Sequence, residues 1–198
     1  MAYINPLTAR LMLRCADLPS GALVGVNAAA SAAGRALLRM SRAGGLRPVA
    51  VVRSEAGRRR LVGEPAEAVL VQGERLPPLD GGFDAVGGDA GAEMALAVRP
   101  GGVFVHYGLL SGQPLPPGLG RAVAPGVAVR LFSLRQWVHS VPRAELRQAL
   151  ARAFEDVRGG LAAAAVEARY GLTDVRAALA HHARAGRSGK ILFAPTDG

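Results

Sequence analysis

Residues 23–53 hold the arrangement best able to do chemistry. Leu23-Val24-Gly25-Val26 is a short apolar run. Asn27-Ala28-Ala29-Ala30-Ser31-Ala32-Ala33-Gly34 follows, with small side chains from Ala28 onward. Arg35-Ala36-Leu37-Leu38-Arg39-Met40 has helical spacing, and Pro48-Val49-Ala50-Val51-Val52-Arg53 is a second apolar run ending in a charge. Strand, small-residue turn, helix and strand is the order of a dinucleotide-binding βαβ unit. Its turn must bring backbone N–H groups to a pyrophosphate at the helix N-terminus, so its side chains must not block the approach. Alanines, one serine and Gly34 meet that need without the usual middle glycine.

The end of the second strand carries the next message. A carboxylate there suits the ribose 2′-OH of NAD, and an arginine suits the 2′-phosphate of NADP. The residue is Arg53, with Arg58, Arg59 and Arg60 close behind. Together with the phosphate turn, it favours NADPH as the cofactor over a merely solvated strand-end charge.

Other chemistry is weaker. The four histidines (106, 139, 181, 182) and Cys15 show no zinc-ligand spacing, so no metal is expected. His181 and His182 are adjacent on a helix, with rings about 100° apart. Ser111 is one residue out of register with a Gly-x-Ser-x-Gly elbow, and no Ser-His-Asp set is visible. Asp84 and Asp89 bracket Gly87-Gly88 and read as strand-end and capping residues.

The elements that must position these residues alternate. A helix is expected over Thr8–Asp17, strands at Leu23–Val26, Pro48–Val52 and Ala68–Val71, and helices at Ser31–Ala43 and Ala56–Val62. Leu76–Gly82 reads as a loop, Phe83–Gly88 as a strand leaving the sheet, and Ala90–Val98 as a helix. Arg99–Gly102 reads as a sharp turn, and Val103–Tyr107 as a buried strand. Gly108–Gly126 is a Gly/Pro-rich loop, and Val127–Phe132 a further strand. Strands alternating with helices imply an α/β fold, a doubly wound parallel (Rossmann) sheet over 1–140. Beyond it, residues 141–198 read as a small α+β segment. Pro142–Val157 is a helix with Leu146, Leu150 and Phe154 on one face, and Val166–Tyr170 a strand. A helix capped by Thr173 or Asp174 runs to Ala185, and Gly189–Phe193 is a terminal strand.

Composition excludes several classes. The 198 residues carry a net charge of +9, almost all from arginine, with Lys190 the single lysine. The arginines are scattered and the few aromatics are not interleaved with them, so no nucleic-acid partner is expected. No apolar run reaches the ~18 residues of a membrane span, so no membrane partner is expected. The segment from Met1 to Pro6 lacks the basic and apolar regions of a secretory signal. A lone cysteine fits a reducing cytoplasm.

The same residues resemble the zinc-free branch of the medium-chain dehydrogenase/reductase superfamily. The likeness is to mitochondrial-type trans-2-enoyl-CoA (enoyl-ACP) reductases and quinone oxidoreductases. The motifs recur in order: Asn5-Pro6-Leu7-Thr8-Ala9 with Leu11-Met12-Leu13, the phosphate turn Asn27–Gly34, and Val51-Val52-Arg53. Pro100-Gly101-Gly102 then leads to Tyr107-Gly108-Leu109-Leu110. Phe132-Ser133-Leu134 with Gln136-Trp137, and Ser188-Gly189-Lys190-Ile191-Leu192, complete the set. The resemblance implies that Asn5 contacts the nicotinamide end of the cofactor. Ala30, Ser31, Ala32 and Ala33 would offer backbone to the pyrophosphate, and Arg53 would pair with the 2′-phosphate. Tyr107, Gly108, Leu109 and Leu110, with Phe132, Ser133 and Leu134, would line the nicotinamide pocket, and Lys190 would reach the cofactor from the last strand.

The departures are specific. Ala30 stands where the family often has Asn, and Ser133 replaces a Trp. Glu55 stands where a second phosphate-binding Arg is usual, with Arg58 able to compensate by reaching back. Family members carry an N-terminal GroES-like domain that supplies the tyrosine acid. Of Tyr3, Tyr107 and Tyr170, none matches it, so no catalytic residue is assigned. Residues 141–198 would belong to an incomplete GroES-like catalytic domain.

Two functions follow. One is an NADPH-dependent oxidoreductase passing hydride to an enoyl thioester, as in fatty acid metabolism, or to a quinone. The other is a non-catalytic NADP-binding remnant serving as a sensing or assembly module. A homodimer is expected through the edge strand at Val127–Phe132.

Overall fold

A computed structural model describes residues 3–184, 187 and 189–194. It divides into two compact units, Met1–Ala162 and Ala163–Gly198. The division falls later than residue 140, because the helix over 143–158 packs against the helix over 4–16.

The first unit runs α1 (Ile4–Ala16), β1 (Leu23–Val26), α2 (Ala32–Ala43), β2 (Arg47–Val52), α3 (Glu55–Arg59) and β3 (Ala68–Val71). It continues through β4 (Leu79–Asp84), α4 (Gly88–Leu96), β5 (Val98–His106), α5 (Leu119–Ala122), β6 (Ala128–Leu131), α6 (Leu134–Ser140) and α7 (Arg143–Arg158). The strands form one six-stranded sheet in the order β3-β2-β1-β4-β5-β6. Every pairing is parallel. This is the doubly wound order, and it reverses between β1 and β4, which opens a crevice beyond the carboxyl ends of those strands.

Both faces of the sheet are covered, as a parallel sheet requires. Val24, Val26, Phe83 and Val105 pack with Met12, Leu37 and Leu38 of the α1–α2 layer. Val49, Leu79 and Phe104 pack with Met94 and Ala95 of α4 on the other side.

Several elements differ from the sequence reading. Helix α1 begins at Ile4, four residues before Thr8, because Pro6 sits in the first turn where no N–H is needed. The loop expected over Leu76–Gly82 ends early: β4 starts at Leu79, and Gly81 and Gly82 pair with Val103 and Phe104. The sharp turn expected at Arg99–Gly102 is absorbed into β5 as a register irregularity, with Gly101 at φ +75°. Gly81 and Gly82 of β4 read as loop residues, but Leu18 and Val103 crowd the first and Met94 of α4 and Phe104 of β5 the second. Helix α3 is shorter than Ala56–Val62, and α4 starts at Gly88 rather than Ala90. The helix α6 was not expected; the Ser133 hydroxyl caps it by accepting from the Gln136 N–H.

The buried face of α7 also differs. Leu146 and Leu150 are half-buried and Phe154 is 47% exposed, while Ala149, Ala153 and Asp156 are buried. Small residues let α7 approach α1 closely, where Ala149 and Ala153 meet Leu7 and Leu11. Arg10 Nε then donates to Asp156 Oδ2 at 2.7 Å.

The second unit holds β7 (Val166–Tyr170), a 3₁₀ turn at Leu172–Asp174, α8 (Val175–Ala183) and β8 (Lys190–Phe193). Strands β7 and β8 pair in parallel, so this unit is a small βαβ of its own. Asp174 is the N-cap of α8 without a side-chain cap bond. The expected helix end at Ala185, and Ser188 of the terminal motif, lie outside the described residues. Among the described residues, no helix is long and apolar enough to cross a membrane.

Candidate functional site

The turn after β1 is built for close backbone approach. Ala28 takes φ +46°, and the Ala29 N–H donates to Val51 O, which ties the turn to β2. Ser31 is the N-cap of α2, and its Oγ accepts from the Gly34 N–H at 3.0 Å. The N–H groups of Ala30, Ala32 and Ala33 find no acceptor among the described residues. They are orphan donors at the positive end of a 12-residue helix. Gly34 is required: a Cβ there would lie 2.6 Å from Ala28 O and 2.7 Å from Ala29 Cα. Orphan N–H groups at an unblocked helix start fit a pyrophosphate.

Arg53 follows the last residue of β2, is exposed, and makes no hydrogen bond or ion pair among the described residues. Its neighbours are arranged around it. Arg58 donates to Glu55 at 2.8 Å and to Glu74 at 2.6 Å. The Glu55 charge is therefore compensated locally. Arg58 itself is committed to Glu55 and Glu74 and does not reach back toward a 2′-phosphate. Hydrogen bonding to Arg58 holds the Glu74 carboxyl below its usual range.

Glu64 braces the far side of the turn. Burial pushes its carboxyl up, but the hydrogen bonds and charges of Arg39 and Arg35 more than offset this and leave it below the usual range. Arg39 holds it with two donors, at 2.7 and 2.6 Å, and Arg35 with one at 2.7 Å. Arg35 also donates to Arg60 O at 2.5 Å and to Ala30 O at 3.4 Å. Helix α2 is thus fixed to the 58–64 segment and to the turn.

The loop after β5 forms the other half of the site. Tyr107 N–H donates to Asp84 O, Leu110 N–H to Ala85 O, and Ser111 N–H to Val86 O. Leu109 and Leu110 are 51% and 70% exposed, a small apolar surface at the sheet's carboxyl edge. Phe132 N–H donates to His106 O, so the segment after β6 lies beside it. Phe132 and Leu134 are half-buried and pack with Leu7, near the start of α1 that holds Asn5. Ser133 is exposed and caps α6. Burial, with the Asp84 charge adding to it, raises the Tyr107 hydroxyl well above the ordinary phenol range. That hydroxyl is buried with no hydrogen-bond partner among the described residues, so Tyr107 keeps its proton and stays neutral at neutral pH.

The expected residues thus gather at the carboxyl ends of β1, β2, β5 and β6, with Asn5 in the first turn of α1. Lys190 opens β8 in the second unit. Sequence reasoning read Asp84 as a strand-end residue and Asn27 as the start of the phosphate turn, but did not join them to His106 as one row of polar side chains at this edge. Asn27 directly follows β1, and Asp84 and His106 are the last residues of β4 and β5, which was the available signal. Among the described residues, no group of three His, Cys, Asp or Glu side chains could hold a metal ion.

Known proteins share this arrangement. The mitochondrial enoyl-[acyl-carrier-protein] reductase of Arabidopsis thaliana is 30% identical over 151 residues, covering 68% of this chain and 40% of the relative. A solved NADPH:quinone reductase from Bacillus thuringiensis superposes with a TM-score of 0.85 at 26% identity, covering 96% of this chain and 62% of that one. The chain is thus similar to enoyl-[acyl-carrier-protein] reductases and NADPH:quinone reductases, a likeness consistent with the medium-chain dehydrogenase/reductase superfamily. A mycobacterial protein solved in complex with NADPH has the same fold, with a TM-score of 0.80 at 22% identity over 98% of this chain. No family model matches the chain. The chain spans less than half the length of the Arabidopsis relative.

Proposed function

We propose that this chain is the cofactor-binding part of an NADPH-dependent oxidoreductase that reduces an enoyl thioester or a quinone. The observation that carries the cofactor choice is Arg53: an arginine with no partner among the described residues, at the end of the second strand of a βαβ unit whose turn offers three orphan N–H groups. The reaction type is supported by the likeness to enoyl-[acyl-carrier-protein] reductase and quinone reductase.

When bound, NADPH supplies the hydride. The protein's own residues bind and orient it. Ala30, Ala32 and Ala33 would donate backbone N–H groups to the pyrophosphate, and Arg53 would pair with the 2′-phosphate, a charge-assisted contact. Arg58 keeps Glu55 from repelling that phosphate. Tyr107–Leu110 and Phe132–Leu134 would wall the nicotinamide with apolar groups and exclude water. Asn5 completes the cofactor set of the first unit by family resemblance. Val129 and Leu131 on β6, 42% and 78% exposed, leave an apolar sheet edge that suits pairing with a second copy. The lone Cys15 suits a reducing compartment.

The test is NADPH oxidation by the full chain, followed in separate assays with crotonyl-CoA and with a quinone. Oxidation that depends on either acceptor supports the reading. NADPH that binds but is consumed with neither acceptor fits a cofactor-binding part that lacks the acid-bearing domain, whereas a chain that binds no NADPH contradicts the reading.

A further inference from the structure

The carboxyl edge of the sheet carries a buried polar network that the cofactor reading does not use. Asp84, at the end of β4, is fully buried. All its side-chain partners are N–H donors. The Asn27 amide donates to its Oδ1, the Val86 N–H to Oδ1 at 2.9 Å, and the Gly87 N–H to both oxygens at 3.1 and 3.2 Å. His106 Nδ1 lies 2.5 Å from Oδ2. Asn27 in turn accepts the Ala85 N–H at 2.8 Å. With these partners the Asp84 carboxylate acts only as an acceptor, so Nδ1 of His106 carries the proton.

Asn27 follows β1 directly, and Asp84 and His106 end β4 and β5 as register partners. Asn27 is the first residue of the phosphate turn. His106 is the last residue before the Tyr107–Leu110 loop. Between them, Ala85 and Val86 accept the Leu110 and Ser111 N–H groups, and the Ser111 hydroxyl also donates to Val86 O at 2.6 Å. One chain of hydrogen bonds therefore runs from the root of the phosphate turn to the loop at the nicotinamide end.

We infer that Asn27, Asp84 and His106 are positioning residues that set the nicotinamide loop relative to the phosphate turn, with His106 the member specific to the nicotinamide end. The inference rests on the NADPH reading above. His106 acts through the 107–111 loop and not by touching the reacting atoms. A ligand that carries only the adenine end does not need that loop, whereas NADPH does. Loss of the His106 donor leaves a buried acceptor short of one hydrogen bond and frees the loop, a local effect worth roughly tenfold in an equilibrium.

The experiment compares NADPH with adenosine 2′,5′-bisphosphate, titrated into the full chain. His106→Leu keeps the bulk and removes the donor; His106→Asn returns an N–H donor near the Nδ1 position. The expected result is a roughly tenfold weaker NADPH affinity in His106→Leu, unchanged binding of the bisphosphate, and recovery of NADPH affinity in His106→Asn. Amide exchange of Leu110 and Ser111 should quicken in the Leu variant alone. Equal loss of both ligands, or loss of neither, overturns the positioning role while leaving the NADPH reading intact. A wild-type chain that binds neither ligand overturns both.

Discussion

Single atoms decide whether the phosphate turn can work. Gly34 has backbone 2.6 Å from where a Cβ would sit, so Gly34→Ala must shift the turn against α2. The expected outcome is a loss of about 2 kcal/mol in stability and of NADPH affinity, read by denaturant titration and by cofactor titration. Ala32 presents an N–H with no acceptor, beside half-buried Ala30 and Ala33. Ala32→Glu places bulk and negative charge at that point and should abolish cofactor binding while the chain stays folded by circular dichroism. Normal binding by that variant would remove the turn from the site. Ser31 acts differently, because its hydroxyl is a helix cap. Ser31→Ala should cost about 1 kcal/mol of stability, and Ser31→Gly only a few tenths, with cofactor affinity nearly unchanged in both. Much at this scale was readable in the sequence: small residues, then Gly34, then Arg53. The Asp84 network was not, because its meaning comes from register between strands more than fifty residues apart, which no local pattern carries.

At the scale of elements, α2 is held by charge as well as by packing. Glu64, 5% exposed, receives donors from both Arg35 and Arg39. Its carboxyl is held below the unfolded value, so its contribution is fully present above about pH 4.5 and is lost as acid protonates the folded form. Glu64→Gln should lower stability by about 2 kcal/mol at neutral pH, and the gap to wild type should close as the pH falls below about 4. A gap that stays constant from pH 7 to 3 would assign the loss to packing alone. The elements themselves were legible where apolar runs were uninterrupted by charge and bounded by turn residues, as at Leu23–Val26 and Ala68–Val71. They were misread where glycine stood inside a strand, as in β4, because cross-strand neighbours outweigh the intrinsic cost of glycine. The face of α7 was misread because leucine spacing pointed one way. The close approach of Ala149 and Ala153 to α1, with the Arg10–Asp156 pair, turned it another.

For the whole molecule, the strand order places the phosphate turn and the Tyr107–Leu110 loop at one crevice, on either side of the β1–β4 reversal. Alternation of strands and helices in the sequence already implied a doubly wound parallel sheet, though not its strand order or how far the first compact unit extends. Its outer strand β6 leaves Leu131 and Val129 uncovered, so sedimentation at micromolar concentration should show a dimer, and Leu131→Lys should shift it toward monomer. A wild-type monomer would remove the edge-pairing proposal without touching the cofactor site. The central claim, an NADPH site with Arg53 on the 2′-phosphate, is tested most directly by titrating the wild-type chain and Arg53→Ala with NADPH and with NADH. The account predicts that wild type prefers NADPH. In Arg53→Ala the NADPH affinity should fall roughly tenfold to a hundredfold, with NADH binding almost unchanged. Equal losses for the two cofactors, or no loss for either, would contradict it.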